Sequence, residues 1–210
     1  MRNFAIDGKS ISVFSAVQTE APIIYLNTFA NEGQRVFEVA QVVGCPPFSL
    51  VAISSLDWNR DMAPWGSPAA FKKGEPFTGG ADDYLRLLVE EIIQEAEKEL
   101  LGPPAWRGIA GYSLAGLFAL CAVYQTDVFS QVGCMSGSLW FPGFKEYVFF
   151  HDLRHTFATV ALQSGVDVKT VSAMLGHYDA GFTLRTYTHT NRRMQEKAAE
   201  KMGNFMAQVL

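Results

Sequence analysis

Residues 108–124 constrain the fold more than any other stretch. They carry no charge, are mostly apolar and place Gly108, Gly111 and Gly116 around a single polar centre at Ser113. The run is shorter than the ~20 residues a membrane span needs. Its glycines divide it into a short strand and a helix, so the reading is a buried strand that turns directly into a buried helix. Such a unit needs further strands beside it and helices over both faces, the layered α/β arrangement with a mostly parallel sheet.

The flanking sequence supplies those elements. Residues 10–17 alternate weakly, residues 22–27 and 48–53 are short apolar runs of the buried-strand kind, and residues 106–110 and 131–135 complete the expected strands. Residues 34–43 have helical spacing with Val36, Val39 and Val43 on one face, and Gly44 stops them. Residues 82–101 form a stronger amphipathic helix, with Leu85, Leu88, Ile92 and Ala96 inward and Glu90, Glu91, Glu95 and Glu99 in water. A strand that leads through Gly111-Tyr112-Ser113-Leu114-Ala115-Gly116 into a helix can lift the Ser113 hydroxyl out of the sheet. The Leu114 N–H, at the helix start, then points at a developing oxyanion. An ordinary buried serine is the plainer reading of the same residue.

Together with residues 57–65 (Asp-Trp-Asn-Arg-Asp-Met-Ala-Pro-Trp) and 77–85 (Phe-Thr-Gly-Gly-Ala-Asp-Asp-Tyr-Leu), this turn resembles the serine esterases of the enterochelin-esterase-like α/β-hydrolase group over most of residues 1–148. The resemblance implies esterase chemistry on Ser113, an oxyanion loop at residues 56–58 with Leu56 as second donor, and a small ester as substrate. In such hydrolases the acid and then the histidine follow the serine on later strands. Asp127 comes too soon to be that acid, and His151, His155, His177 and His189 all lie beyond residue 148. The segment is therefore expected to lack its C-terminal part and to expose a sheet edge and an apolar patch suited to self-association.

Composition changes at the same place. Residues 1–148 hold 10 basic and 16 acidic side chains, a net of −6, whereas residues 149–210 hold 7 and 5, a net of +2. The later segment reads as helices. One is expected over 152–162 with Leu153, Phe157 and Val160 on one face. A second, over 168–175, would be capped by Asp167, and a third would cover 183–187. An amphipathic tail from 191 puts Arg192, Arg193, Lys197 and Lys201 off its apolar stripe. His151 and Arg154 share a helix face. Taken singly, His177 reads as a helix cap, Tyr187 as a core side chain and the basic face as a solvated surface.

Jointly, His-Asp-Leu-Arg-His-Thr-Phe-Ala-Thr (151–159), Met-Leu-Gly-His (174–177) and Thr-Tyr-Thr-His (186–189) resemble the C-terminal part of the tyrosine recombinases, the phage-integrase family, over nearly all of residues 150–205. That resemblance implies that Tyr187 links covalently to a DNA 3′-phosphate, while His151, Arg154 and His177 line the scissile phosphate and Arg185, Arg192 and Arg193 contact DNA. A phenol of ordinary pKa near ~10 needs such cations to attack phosphorus. The family's upstream arginine, its β-hairpin lysine and its DNA-clamping N-terminal domain have no counterpart in residues 1–148.

The sequence is thus read as a chimera with a seam near residues 148–150: a C-terminally truncated α/β-hydrolase (1–148) followed by a small all-α recombinase segment (149–210) that lacks its N-terminal part. DNA recombination and integration is the leading function, with both activities impaired. A serine esterase using Ser113, its base supplied by His151 or His155, is one alternative, and a folded non-catalytic remnant is the other. No cofactor and no metal site is expected. Cys45, Cys121 and Cys134 lack metal-ligand spacing and fit reduced, buried thiols of a cytoplasmic protein, and the N-terminus lacks the apolar run of a signal peptide.

Overall fold

A computed structural model describes residues 1–70 and 74–175, together with 181 and 183. The chain divides into two compact units, Met1–Pro142 and Gly143–Leu210.

The first unit is built on a mixed sheet of six strands. In chain order the strands of this unit are β1 (Arg2–Ile6), β2 (Lys9–Phe14), β3 (Ile23–Asn27), β4 (Ser49–Ser54), the short β5 (Gly66–Ser67) and β6 (Phe77–Thr78), β7 (Arg107–Tyr112) and β8 (Gln131–Met135). The main sheet runs β1-β2-β4-β3-β7-β8, and β5 and β6 pair separately. Its β4–β3, β3–β7 and β7–β8 pairings are parallel, whereas β1–β2 and β2–β4 are antiparallel. The expected mostly parallel sheet is therefore present, with an antiparallel hairpin added at one edge. The β1–β2 turn is Asp7-Gly8, both with positive φ (47° and 73°), the two-residue geometry that Asp-Gly favours. β1 was not anticipated, although Asp-Gly is a hairpin signal in its own right.

Helices cover both faces. On one side α1 (Gly33–Val42) meets a cluster of Phe14, Leu26, Leu50 and Ala52, with Phe37 stacked on Phe14 at 5.1 Å. Gly33 sits so close to Ala52 that no Cβ fits there. The expected valine face is the outer one: Val36, Val39 and Val43 are all exposed, and Gly33 and Phe37 make the contact. Periodicity located the helix. The need for a small residue where the helix approaches the sheet decided which side faces inward.

On the opposite face a long helical segment comprises α3 (Ala81–Leu87), a π turn (Leu88–Ile92), α4 (Ile93–Ala96) and a 3-10 turn (Glu97–Glu99). Leu85, Leu88, Ile92 and Ala96 are buried, as their spacing predicts. The Tyr25 hydroxyl donates to Glu97 at 2.9 Å, and Arg107 grips the same carboxylate through Nε and Nη2 at 2.6 and 2.7 Å, tying the end of this segment to β3 and β7. Beside it lies α5 (Leu114–Gln125), whose Leu114 to Ala119 are all buried. β8 forms the other edge of the sheet, with Val132 and Met135 exposed.

In the second unit the described helices are α6 (Phe144–Gln163) and α7 (Val168–Leu175). Ala158 and Leu162 pack against Val171 and Leu175. Phe157 and Val160, expected on the inner face with Leu153, are exposed. The contact is made instead by Ala158 and Leu162, with Ala161 packed beside them. Asp167 caps α7 as expected, its Oδ1 accepting the Thr170 N–H at 2.9 Å. Of the helix expected over 183–187 only Thr183 is among the described residues, helical and buried, and the tail from 191 lies outside them.

Candidate functional site

Ser113 stands between β7 and α5 with φ 53° and ψ −121°, a backbone region that non-glycine residues avoid. The surrounding small residues make this turn sterically feasible. A Cβ on Gly111 would come within 2.5 Å of the Ala115 carbonyl group, and one on Gly116 within 3.0 Å of the Gly111 oxygen. The conformation is held from three sides. The Ser113 N–H donates to the Met135 carbonyl at 3.0 Å. The Ser113 carbonyl accepts the N–H groups of Leu117 (3.2 Å) and Ser138 (2.9 Å). Strain at one residue is thereby balanced by bonds from β8, from the first turn of α5 and from the loop after β8.

A cleft of about 200 Å³ opens over Ser113, lined by Trp58, Asn59, Phe77, Leu114, Ser138 and Trp140 among others. It lies at the carboxyl ends of the parallel strands, where ligands bind in open α/β sheets. The Ser113 hydroxyl lies 3.3 Å from the Ser138 hydroxyl. Leu114 begins α5, whose first N–H groups have no acceptor within the helix.

The segment after β4 forms one wall. Ser55 has φ 59° and Leu56 is half-buried. Asp57 caps α2 (Trp58–Asp61), its carboxylate accepting the Arg60 N–H at 3.2 Å while its own N–H donates to Asp61 at 3.0 Å. Trp58 meets Phe29 edge-on at 5.2 Å and tilts against Tyr112 at 5.8 Å. Partial desolvation and the Glu32 carboxylate push the Tyr112 hydroxyl above its ordinary pKa. Beneath this wall Lys9 Nζ lies 2.9 Å from Asp61, with both side chains buried, and sits 5.6 Å above the Tyr84 ring. The Tyr84 hydroxyl, driven well above its usual pKa by burial and then by the Asp61 charge, donates to Asn27 at the end of β3.

Sequence reasoning did not single out Ser138, Trp140, Lys9 or Asp61. The first two lie in Ser136-Gly137-Ser138-Leu139-Trp140, a small-residue run at the carboxyl end of a parallel strand, which was the available signal. For Lys9 it was a cation in phase with the inward-facing Ile11 and Val13 of its own strand.

The structure places Ser113 and Leu114 at this cleft. Leu56 stands in the neighbouring loop and is not among the lining residues described. His151 and Arg154 fall within α6, but their side chains lie outside the described set, as do residues His177, Arg185, Tyr187, Arg192 and Arg193. Among the described residues no group of His, Cys, Asp and Glu is placed to hold a metal ion, and no helix is long and apolar enough to cross a membrane.

Residues 135–194 match the phage integrase family. Over 55 residues, 26% of this chain, the sequence is 40% identical to a tyrosine recombinase XerC-like protein of Caldanaerobacter subterraneus subsp. tengcongensis. The chain covers only 14% of that relative's length. In fold it is similar to the BES protein of Bacillus cereus, with a TM-score of 0.58 at 19% identity, covering 74% of this chain and 70% of that one. It is also similar to the siderophore hydrolase EstA of Aspergillus nidulans, with a TM-score of 0.52 at 19% identity, covering 70% and 60%. An integrase match in the later residues and a hydrolase-like α/β fold over most of the chain thus occur in one polypeptide, consistent with a chimera.

Proposed function

We propose that the first unit carries a serine-hydrolase site that accepts an acyl group from a small carboxylic ester. The carrying observation is Ser113 in a strained strand-to-helix turn at φ 53°, beneath a cleft. Ser113 Oγ attacks the ester carbonyl, and the carbonyl oxygen becomes an oxyanion facing the Leu114 N–H, with Leu56 as second donor. The alcohol leaves, the hydroxyl proton passes to water, and water then releases the acid. Residues 1–142 contain no histidine. A serine hydroxyl without a base is a poor nucleophile, so turnover is impaired and acylation by reactive esters is the accessible step. The test is labelling by a fluorophosphonate, in which a Ser113 Oγ–phosphorus bond forms, fluoride leaves and the proton goes to water. Slow labelling that disappears in Ser113→Ala supports the reading, and an unlabelled Ser113 overturns it.

The integrase match favours a second reading for residues 149–210. Here Tyr187 is the nucleophile that forms a 3′-phosphotyrosine, with His151, Arg154 and His177 at the phosphate and Arg185, Arg192 and Arg193 on DNA. This activity is also impaired, because the upstream arginine and the hairpin lysine of the family have no assignable residue, and groups acting as a unit are strongly non-additive. Capture of a nicked duplex, lost in Tyr187→Phe, tests it; absence of any adduct overturns it. The chimera is in this view a fused remnant, its all-α C-terminal piece joined to a hydrolase segment at residues 148–150. Its thiols suit the cytoplasm, and β8 or the last helix offers a route to self-association, testable by sedimentation.

A further inference from the structure

We infer that Ser138 is a positioning residue for Ser113, an assignment that rests on the hydrolase reading. Two contacts join the same pair of residues: the Ser138 N–H donates to the Ser113 carbonyl at 2.9 Å, and the two hydroxyl oxygens lie 3.3 Å apart. The first sustains the strained turn. The second fixes the Ser113 side chain, because a hydroxyl on a staggered rotor otherwise samples three wells. Either hydroxyl can be the donor, and in both cases the contact restricts the Ser113 rotor beneath the cleft.

Ser138 is itself held firmly. It is 3% exposed although it lines the cleft, its carbonyl accepts the Phe141 N–H at 3.0 Å, and Phe141 is buried. Just before it, Gly137 lies against Cys134 Sγ with no room for a Cβ. A hydroxyl fixed in this way imposes one geometry on its neighbour and costs little reorganisation during reaction. Ser138 has no capacity to act as a base, so it touches the nucleophile without replacing the absent histidine.

The two contacts can be separated experimentally. Ser138→Ala keeps the backbone bond and removes only the hydroxyl. Fluorophosphonate labelling of the full chain is measured against probe concentration for the wild type, Ser138→Ala and Ser113→Ala, with thermal melting in parallel. Loss of side-chain registration is expected to lower the maximal labelling rate of Ser138→Ala about 10-fold, with half-saturation and melting temperature unchanged. A wild-type rate in Ser138→Ala overturns the inference while leaving the hydrolase reading intact. A wild type that does not label overturns both. If Ser138→Ala melts early, labelling is repeated at 10 °C. A deficit that vanishes on cooling makes Ser138 a packing residue and overturns the inference, and one that persists supports it.

Discussion

Breaking the ion pair beneath the cleft should cost far more than a surface ion pair does. Lys9 and Asp61 approach to 2.9 Å with side chains only 9% and 3% exposed. At that separation and an effective dielectric of ~20, their attraction is about 6 kcal/mol, much of it offset by the cost of removing both charges from water. Lys9→Met alone leaves Asp61 buried and uncompensated, and the expected loss is about 3–5 kcal/mol, a large part of a typical domain's stability. Asp61→Leu alone should cost a similar amount, because it strands the ammonium and also removes the acceptor of the Asp57 N–H. The double variant Lys9→Met/Asp61→Leu replaces the pair by apolar volume and should recover most of the loss. Urea unfolding followed through the tryptophans of the first unit measures this. With a slope of about 2 kcal/mol/M, each single variant should lower the midpoint by roughly 2 M. Singles that shift it by less than about 0.5 M, or a double variant that loses the sum of the two, would refute the reasoning. The same cycle has a functional readout. Asp61 holds the Asp57 N–H, so Asp61→Leu should slow Ser113 labelling and the double variant should stay slow, since leucine does not accept that N–H, whereas Lys9→Met keeps the acceptor.

Other consequences follow from the geometry. Gly111→Ala would place a methyl group 2.5 Å from the Ala115 carbonyl, so the strand-to-helix turn must open; a destabilisation of about 1–3 kcal/mol and loss of Ser113 labelling are expected, and an unchanged labelling rate would count against the elbow. Gly8 holds φ 73°, and Gly8→Ala should cost about 1 kcal/mol, read as a shift in the urea midpoint. Burial pushes the Cys121 thiol up to about 12, with Asp82 adding to it, whereas Cys45 is exposed and Cys134 only partly buried, against the expectation of three buried thiols. Iodoacetamide at pH 8 should therefore modify Cys45 and spare Cys121 in peptide mass spectra. Because the folded value is raised, the stability contributed by this thiol is full below its unfolded pKa near ~9 and declines as pH rises toward 12, a decline that Cys121→Ala should reduce. The Asp167 carboxyl is held below its ordinary value, first by the Thr170 hydroxyl and then by the Thr170 N–H. Its support for α7 should accordingly be lost as pH falls through that lowered value, visible as faster amide exchange at Thr170.

The sequence conveyed the interior better than its closest contacts. The β3, β4, β7 and β8 strands and the inward set Leu85, Leu88, Ile92 and Ala96 follow from apolar periodicity, because burial of a whole face is what that pattern encodes. The orientation of α1 did not follow, since its contact with the sheet is made by Gly33, and the absence of a side chain leaves no hydrophobic signal. The same holds at the α6–α7 crossing, where Ala158 is inside while the larger Phe157 and Val160 are exposed. At the candidate site, Ser113 was legible from its small neighbours. Ser138 and the Lys9–Asp61 pair were not, because they meet their partners across 25 and 52 positions and no local pattern records such pairings.

The place where the two resemblances meet is the interior of a helix. Residues 148–150, at which the character of the sequence changes, fall inside α6, which continues from Phe144 to Gln163. The compact units divide earlier, between Pro142 and Gly143. The integrase match reaches back to residue 135, within β8. A change of resemblance along the chain therefore need not coincide with a change of structure. Helical hydrogen bonds are made by the backbone, so two helix-forming sequences can join in one helix with no loss at the joint, provided that no glycine or proline stands there. Tyr147, Val148, Phe149 and Phe150 meet that condition. A joint in a strand of the core is less tolerant, because a one-residue slip there moves every side chain to the wrong face. At residues 148–150 the backbone of α6 runs on unbroken, and the buried residues of the first unit end before it, at Phe141. The sheet and the loop after β8 hold Ser113 in its turn, and residues 1–142 contain no histidine.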